Sequence, residues 1–206
     1  MHSHRNMLMF RMRILSDHFS MAEKNINKCL FLDRDGIVNI NYGYVHKIED
    51  FHFNKEVFTI CKHFIDLNFK IVIVTNQSGI GRGLFTLEDY RKITLWMLSR
   101  FEENGIRVDL VVASPINPGN VRLSKELEFR RKPNPGMIID AQEILNINLM
   151  ESVMIGDGDS DIDAARNAGI PNIIKVGYPK GRKENIQYFN NLREVVDHLR
   201  ESRKIE

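Results

Sequence analysis

The 206-residue sequence predicts an α/β fold, a Rossmann-like three-layer sandwich on a mainly parallel sheet with no separate lid domain. Short apolar runs at 29–32, 70–74, 108–113, 153–155 and 172–176 have the length and composition of strands buried on both faces. Segments of helical periodicity lie between them, the alternation that right-handed crossovers of a parallel sheet require. Helices, strands and loops consume the residues between the polar strand ends, leaving none for an inserted domain.

Composition narrows the function classes. The chain carries 29 basic and 27 acidic side chains, a net charge of +2, so there is no electrostatic case for a nucleic-acid or membrane surface. Cys29 and Cys61 lie far apart in apolar contexts and read as buried small hydrophobes, which fits a reducing cytosol. The apolar stretch near the N-terminus is interrupted by Arg11 and Arg13, and no run is long enough to span a bilayer. The expectation is a cytoplasmic monomer: one domain over 25–206 behind an extension, 1–24, with Met1, Met7, Met9, Met12 and Met21 as possible starts.

In chain order, the run 29–32 ends in Asp33 and Asp35 and is broken by Gly36. Residues 39–53 form a loop over that end, with Tyr42 and Tyr44 in it. Helical spacing of Val57, Ile60, Cys61, Phe64 and Ile65 predicts a helix over 55–67. The strand 70–74 runs into Thr75, Asn76 and a glycine-rich loop to Gly83, where backbone can approach an anion closely. Thr86 precedes a helix reaching about residue 101, with Glu88 and Asp89 in its first turn. After the third strand, 114–136 reads as loop and ends in the basic cluster Arg130, Arg131 and Lys132, before a helix over 135–145. The fourth strand ends in an acidic turn with Asp157, Asp159, Asp161 and Asp163; a fifth strand and a C-terminal helix over 183–200 follow.

Polar residues thus gather where parallel strands end, the place where such sheets bind ligands. Asp33 with Asp35, Thr75 with Asn76, and Asp157 with Asp161 occupy three strand ends, and Lys132 opens the helix before the last. A lone pair of acids is ordinary turn chemistry, and a basic run is ordinarily a solvated face; their joint placement points to a phosphate ester and a hard cation. Asp33 is placed to attack phosphorus and Asp35 to protonate the leaving oxygen. Mg2+ held by Asp33 and Asp157 offsets the charge of nucleophile and phosphate, while Thr75, nearby amides and Lys132 hold the equatorial oxygens.

The stretches FLDRDGIVN, GYVHKIEDF, VTNQSGIGRG, RRKPNPGM and IGDGDSD, in this order, resemble the haloacid dehalogenase superfamily of phosphatases. More narrowly they resemble the bacterial D-glycero-D-manno-heptose 1,7-bisphosphate 7-phosphatases, with histidinol-phosphate phosphatases as near relatives. The resemblance covers roughly residues 28–177. It implies Asp33 as nucleophile, Asp35 as acid and base, and Thr75 and Lys132 as phosphoryl stabilisers. It implies Mg2+ at Asp33, the Asp35 carbonyl and Asp157, with Asp161 orienting the site from behind. It implies substrate contacts from Asn41, Tyr42, Gly43, Tyr44, Thr75, Asn76, Gln77, Ser78, Arg131 and Lys132, and a role in nucleotide-activated heptose supply for lipopolysaccharide or capsule.

The sequence departs from that family at its zinc loop. Where Cys and His are usual stand Ser114, Ile116, Asn117, Glu128 and Arg130; Ser, Ile and Arg are not zinc ligands, so no structural zinc is expected. An open site without a lid also admits other readings: histidinol phosphate or another small phosphomonoester, a polynucleotide 3′-phosphate, or a phosphate-binding protein without catalysis. The balanced charge disfavours the nucleic acid, and the presence of Asp33, Asp35 and Lys132 disfavours loss of catalysis.

Overall fold

The computed structural model describes residues 26–119, 124–177, 181 and 183–202; the expected extension over 1–24 lies outside them. In chain order the elements are β1 (Lys28–Leu32), α1 (Glu56–Asp66), β2 (Phe69–Asn76), α2 (Ser78–Gly81), α3 (Leu87–Glu103), β3 (Leu110–Ser114), α4 (Lys125–Phe129), α5 (Gly136–Leu145), β4 (Val153–Gly156), α6 (Asp159–Ala168), β5 (Asn172–Val176), β6 (Ile186–Phe189) and α7 (Leu192–Ser202). All strand pairings are parallel, in the order β3-β2-β1-β4-β5-β6.

Period-two alternation sends each central strand into two cores. Leu30, Leu32, Ile71, Ile73 and Ile155 pack with Val57, Ile60 and Phe64 of α1, Ile93, Met97 and Phe101 of α3, and Val195 of α7. Cys29, Phe31, Val72, Val74 and Met154 point the other way, onto Met137, Ile138 and Ala141 of α5 and Ile162 and Ala165 of α6. Both cysteines are buried and free. Since apolar burial contributes about 25 cal/mol per Å2, these two faces supply most of the driving force that holds the strand ends in register. The α3 start is secured as its sequence suggests: the Thr86 hydroxyl accepts from the Asp89 amide at 3.1 Å, and the Asp89 carboxylate accepts from the Thr86 amide at 2.9 Å.

Three local expectations need correction. The helix expected from residue 183 begins at Leu192, and the residues before it form a sixth, edge strand, β6, paired with β5 from Ile173↔Ile186 to Val176↔Phe189. Asn190 and Asn191 separate the two elements; the Asn191 side chain caps the new helix by accepting from the Glu194 amide at 3.0 Å, and Glu194 accepts from the Asn190 amide at 2.8 Å. The glycine-rich loop contains the single turn α2, and the segment read as loop before Lys132 contains α4, whose N-cap Ser124 accepts from the Leu127 amide at 3.3 Å. No described helix is long and apolar enough to cross a membrane.

Candidate active site

The strand order reverses direction at β1 and β4, which lie side by side in the sheet centre, so the crevice beyond their carboxyl ends is the switch point of the fold. Asp33 leaves β1 there with its amide still bonded to the Ile155 carbonyl at 3.1 Å. Thr75 and Asn76 end β2, Asp157 follows β4, and Lys132 arrives from the crossover between β3 and β4. Together they line a cleft of about 260 Å3 with Asp35, Asn41, Gly158, Ser160 and Asp161. A larger hollow beside α3 and β3, about 510 Å3, is lined by Leu95, Leu98, Ile106 and Val108 and has no comparable convergence of charge.

Lys132 is the centre of the cleft floor and is 3% exposed. Its ammonium reaches Asp33 Oδ1 at 2.5 Å, Asp161 Oδ1 at 2.7 Å and the Val74 carbonyl at 2.8 Å, so each of its three protons has an acceptor. Asn76 fixes the backbone beneath it, donating to the Lys132 carbonyl at 3.1 Å and accepting from the Lys132 amide at 3.2 Å. Asp161 is held in turn by the Gly158 amide, 2.8 Å from Oδ2. Both Asp161 oxygens are therefore engaged, and it supports Lys132 from behind.

The charges do not balance. Asp33, Asp157 and Asp161 each offer an oxygen within 4.8 Å of the others, against the single ammonium of Lys132 among them. Burial pushes the Asp33 carboxyl up to about 8, with Lys132 pulling against it and the Asp161 charge adding to it. Burial and then the Asp161 charge lift Asp157 to about 6. Burial opposes the Lys132 charge, but Asp33 and Asp161 outweigh it and hold the ammonium above its ordinary range. Such excess negative charge, on hard oxygens, is what a divalent cation offsets. Backbone geometry fits one too: at Gly36 (φ +111°) a Cβ would lie 2.0 Å from Asp157 Oδ2, so only glycine lets this carboxylate lie against the β1 turn.

Asp35 is built differently. Its two oxygens accept from Arg34 Nε at 3.1 Å, Arg34 Nη2 at 2.8 Å, Asn39 Nδ2 at 3.1 Å and Gln77 Nε2 at 2.9 Å. Gln77 also donates to the Thr75 hydroxyl at 2.8 Å and is 3% exposed, so this expected substrate contact instead ties Asp35 to Thr75. Of the other expected substrate contacts, Asn41 lines the cleft, while Tyr42 and Tyr44 stand exposed on the loop beside it, with Gly43 between them. Ser78 opens α2, and Arg131, half-buried, donates to the Ile116 carbonyl at 3.2 Å. Arg34 and Lys175 were not singled out from the sequence. Lys175 is 6% exposed on β5, and its ammonium holds the Asp157 carbonyl at 2.8 Å and Asp159 at 3.0 Å. A lone lysine inside an apolar strand was the available signal.

A D-glycero-alpha-D-manno-heptose-1,7-bisphosphate 7-phosphatase from Campylobacter jejuni is 37% identical to the chain over 84% of its length and 96% of the relative's. The chain belongs to this phosphatase family. It is a phosphomonoester hydrolase. A relative from Helicobacter pylori, a D-glycero-beta-D-manno-heptose-1,7-bisphosphate 7-phosphatase, is 38% identical over 85% of the chain and 99% of its own length. The HAD-hydrolase-like family matches residues 129–202. Among solved structures, a D,D-heptose 1,7-bisphosphate phosphatase from B. bronchiseptica, in complex with magnesium and phosphate, superposes with a TM-score of 0.73 at 26% identity, covering 85% of this chain and 99% of that one.

Within this family fold the segment standing where the family usually carries its zinc loop has contacts of its own. Ser114 and Ile116 are buried, and Gly81 packs so tightly against the Pro115 carbonyl that a Cβ there would lie 2.4 Å from it. The Asn117 side chain accepts from the Gly119 amide at 3.0 Å, and Arg130 pairs with Asp140 at 3.1 Å. Asn134 donates to the Glu128 carbonyl at 3.0 Å, joining α4 to the turn before α5.

Proposed function

We propose that this phosphatase removes the 7-phosphate of D-glycero-D-manno-heptose 1,7-bisphosphate, with Mg2+ and through an aspartyl phosphate on Asp33, in the supply of nucleotide-activated heptose for lipopolysaccharide or capsule. The observation that carries the reading is the convergence of the Asp33 and Asp157 carboxylates beside the Lys132 ammonium in one open cleft. Relatives named for both anomers, matched over 84% and 85% of the chain, support the substrate; the neighbour holding magnesium and phosphate supports the metal.

In this reading Asp33 attacks phosphorus through the oxygen that Lys132 leaves free. As the P–O bond to the sugar breaks, Asp35 passes its proton to the departing oxygen; it then takes one from the water that hydrolyses the aspartyl phosphate and restores Asp33. Lys132, held by Asp161, and the Thr75 hydroxyl bind the phosphoryl oxygens, their geometry set before substrate arrives. Mg2+ at Asp33, the Asp35 carbonyl and Asp157 supplies the positive charge that lets an anionic nucleophile meet an anionic phosphate. Asn41, Tyr42, Gly43, Tyr44, Asn76, Ser78 and Arg131 complete the substrate site, and Gln77 acts through Asp35 and Thr75. Residues 25–206 act as one cytoplasmic, monomeric catalytic unit without structural zinc, on a small sugar phosphate and not on nucleic acid.

The test is phosphate release from both anomers of the bisphosphate, from histidinol phosphate and from a 3′-phosphorylated oligonucleotide, with Mg2+ or with chelator. One heptose anomer is expected to be preferred, with chelator and Asp33→Asn each abolishing turnover while the circular dichroism spectrum is kept. Turnover by Asp33→Asn would remove the nucleophile from this scheme, and equal weak rates on all substrates would remove the sugar.

A further inference from the structure

Arg34 stands between the two acids of the first strand end and has no part in the reaction as described. It is 1% exposed. Its Nε and Nη2 meet Asp35 as a two-pronged fork, and Nη2 also donates to the Val45 carbonyl at 2.7 Å. The Phe51 and Tyr90 rings each lie 5.9 Å from the guanidinium carbon, and Nη1 is buried without a hydrogen-bond partner among the described residues. Packing does not account for this residue, because a hydrophobic pair of similar volume is commonly as stable as a buried ion pair, or more so. What an arginine adds is a planar fork that sets the plane of a carboxylate, which lysine's point charge does not do.

Asp35 has about four lone-pair sites, and Arg34, Asn39 and Gln77 fill four with donors. The three side chains differ in what they can release. Gln77 has a second acceptor in Thr75, and Asn39 has one in the Ile40 carbonyl at 2.9 Å. Arg34 also has a second acceptor, the Val45 carbonyl, but it alone meets Asp35 through two nitrogens, and it has no other carboxylate among its described partners. Loss of the Gln77 contact frees one of the two acceptor positions of Oδ2 and leaves the fork in place, with the 19% exposed side chain of Asp35 open toward the cleft and Arg34 closed behind it.

We propose that Arg34 is the positioning residue of the acid: from the buried side it holds the Asp35 carboxylate in the plane from which its proton reaches the leaving oxygen. The inference rests on the acid role proposed for Asp35, and the experiment separates the two. It compares kcat on the sugar phosphate, whose alkoxide leaving group needs a proton, with kcat on p-nitrophenyl phosphate, whose leaving group does not.

Asp35→Asn, the control, is expected to lower kcat on the sugar phosphate much more than on the nitrophenyl ester. Arg34→Lys keeps the charge and loses the fork; it should lower kcat on the sugar phosphate about 100-fold and on the nitrophenyl ester less than about tenfold. An equal fall on both, or no fall, overturns the inference while the control stands. If the control shows no preference between substrates, the acid role fails and the inference with it. The paired variant Arg34→Met with Asp35→Asn removes both charges of the pair together, so it remains informative where Arg34→Lys does not fold. A residue that acts only through Asp35 leaves the pair within about threefold of Asp35→Asn alone, and a larger further loss overturns the proposal.

Discussion

Metal-free protein should lose stability as the pH rises from about 5 to about 8, and Mg2+ should remove the loss. Burial and the Asp161 charge raise Asp157 from 3.8 to about 6, and burial raises Asp33 to about 8. An acid whose folded pKa is raised is protonated in the native state while already ionised in the unfolded chain, so its contribution is greatest below the unfolded value and is lost as pH climbs through the folded one. Asp157 moves by about two units, of which about one lies above pH 5 and is worth about 1.4 kcal/mol; allowing for its partial exposure, a loss of roughly 1 kcal/mol follows in this window. Asp33 shares its counter-ion with Asp161, so its shift belongs to the same cluster and is not added. Lys132 stays charged throughout this window. Asp89 and Glu194, held low by hydrogen bonds from Thr86 and Asn190, work in the opposite sense but are already ionised by about pH 5. For a fold of this size the loss corresponds to a fall in Tm of roughly 2–4 °C. The assay is thermal melting across this range in chelator and again in millimolar Mg2+, whose stabilisation should be larger at the alkaline end because its ligands must be deprotonated. A metal-free Tm that is flat or rising with pH, or equal stabilisation by Mg2+ at both ends, would refute the account of the charge imbalance.

Lys132→Met leaves Asp33 and Asp161 buried without their counter-ion and should destabilise metal-free protein by roughly 3–5 kcal/mol in urea unfolding, with Mg2+ recovering part of the stability but not the turnover. Wild-type stability in that variant would show that the ammonium is not what holds the two acids. Gly36→Ala puts a methyl group 2.0 Å from the Asp157 carboxylate at a backbone φ of +111°, so the Mg2+ concentration for half-maximal activity should rise by about tenfold or more. An unchanged Mg2+ titration would separate Asp157 from the metal.

Much of the fold was legible because it rests on local rules. The five apolar runs read as strands are all strands, since a parallel strand buried on both faces is nearly continuous in apolar residues. The sixth was missed because β6 is a four-residue edge strand whose pairing with β5 holds it, directly before an amphipathic helix. Tertiary pairing, not local propensity, makes Ile186–Phe189 a strand.

The site divides in the same way. By itself the sequence determined that Asp33, Asp35, Thr75, Asn76 and Asp157 gather at strand ends, with Lys132 before the helix that precedes the fourth strand: parallel strands all end at one edge, and a polar residue directly after an apolar run must lie there. Only the tertiary structure decided the partners: that Lys132 divides its protons among Asp33, Asp161 and the Val74 carbonyl, that Gln77 turns to Asp35 and Thr75, and that Arg34 is buried while Asp35 beside it is not. Lys132 and Asp33 lie 99 residues apart, and their contact depends on the segment between α4 and α5 meeting the end of β1. Hydrogen-bond direction and desolvation are set by groups distant in the chain, so side-chain periodicity carries no trace of them.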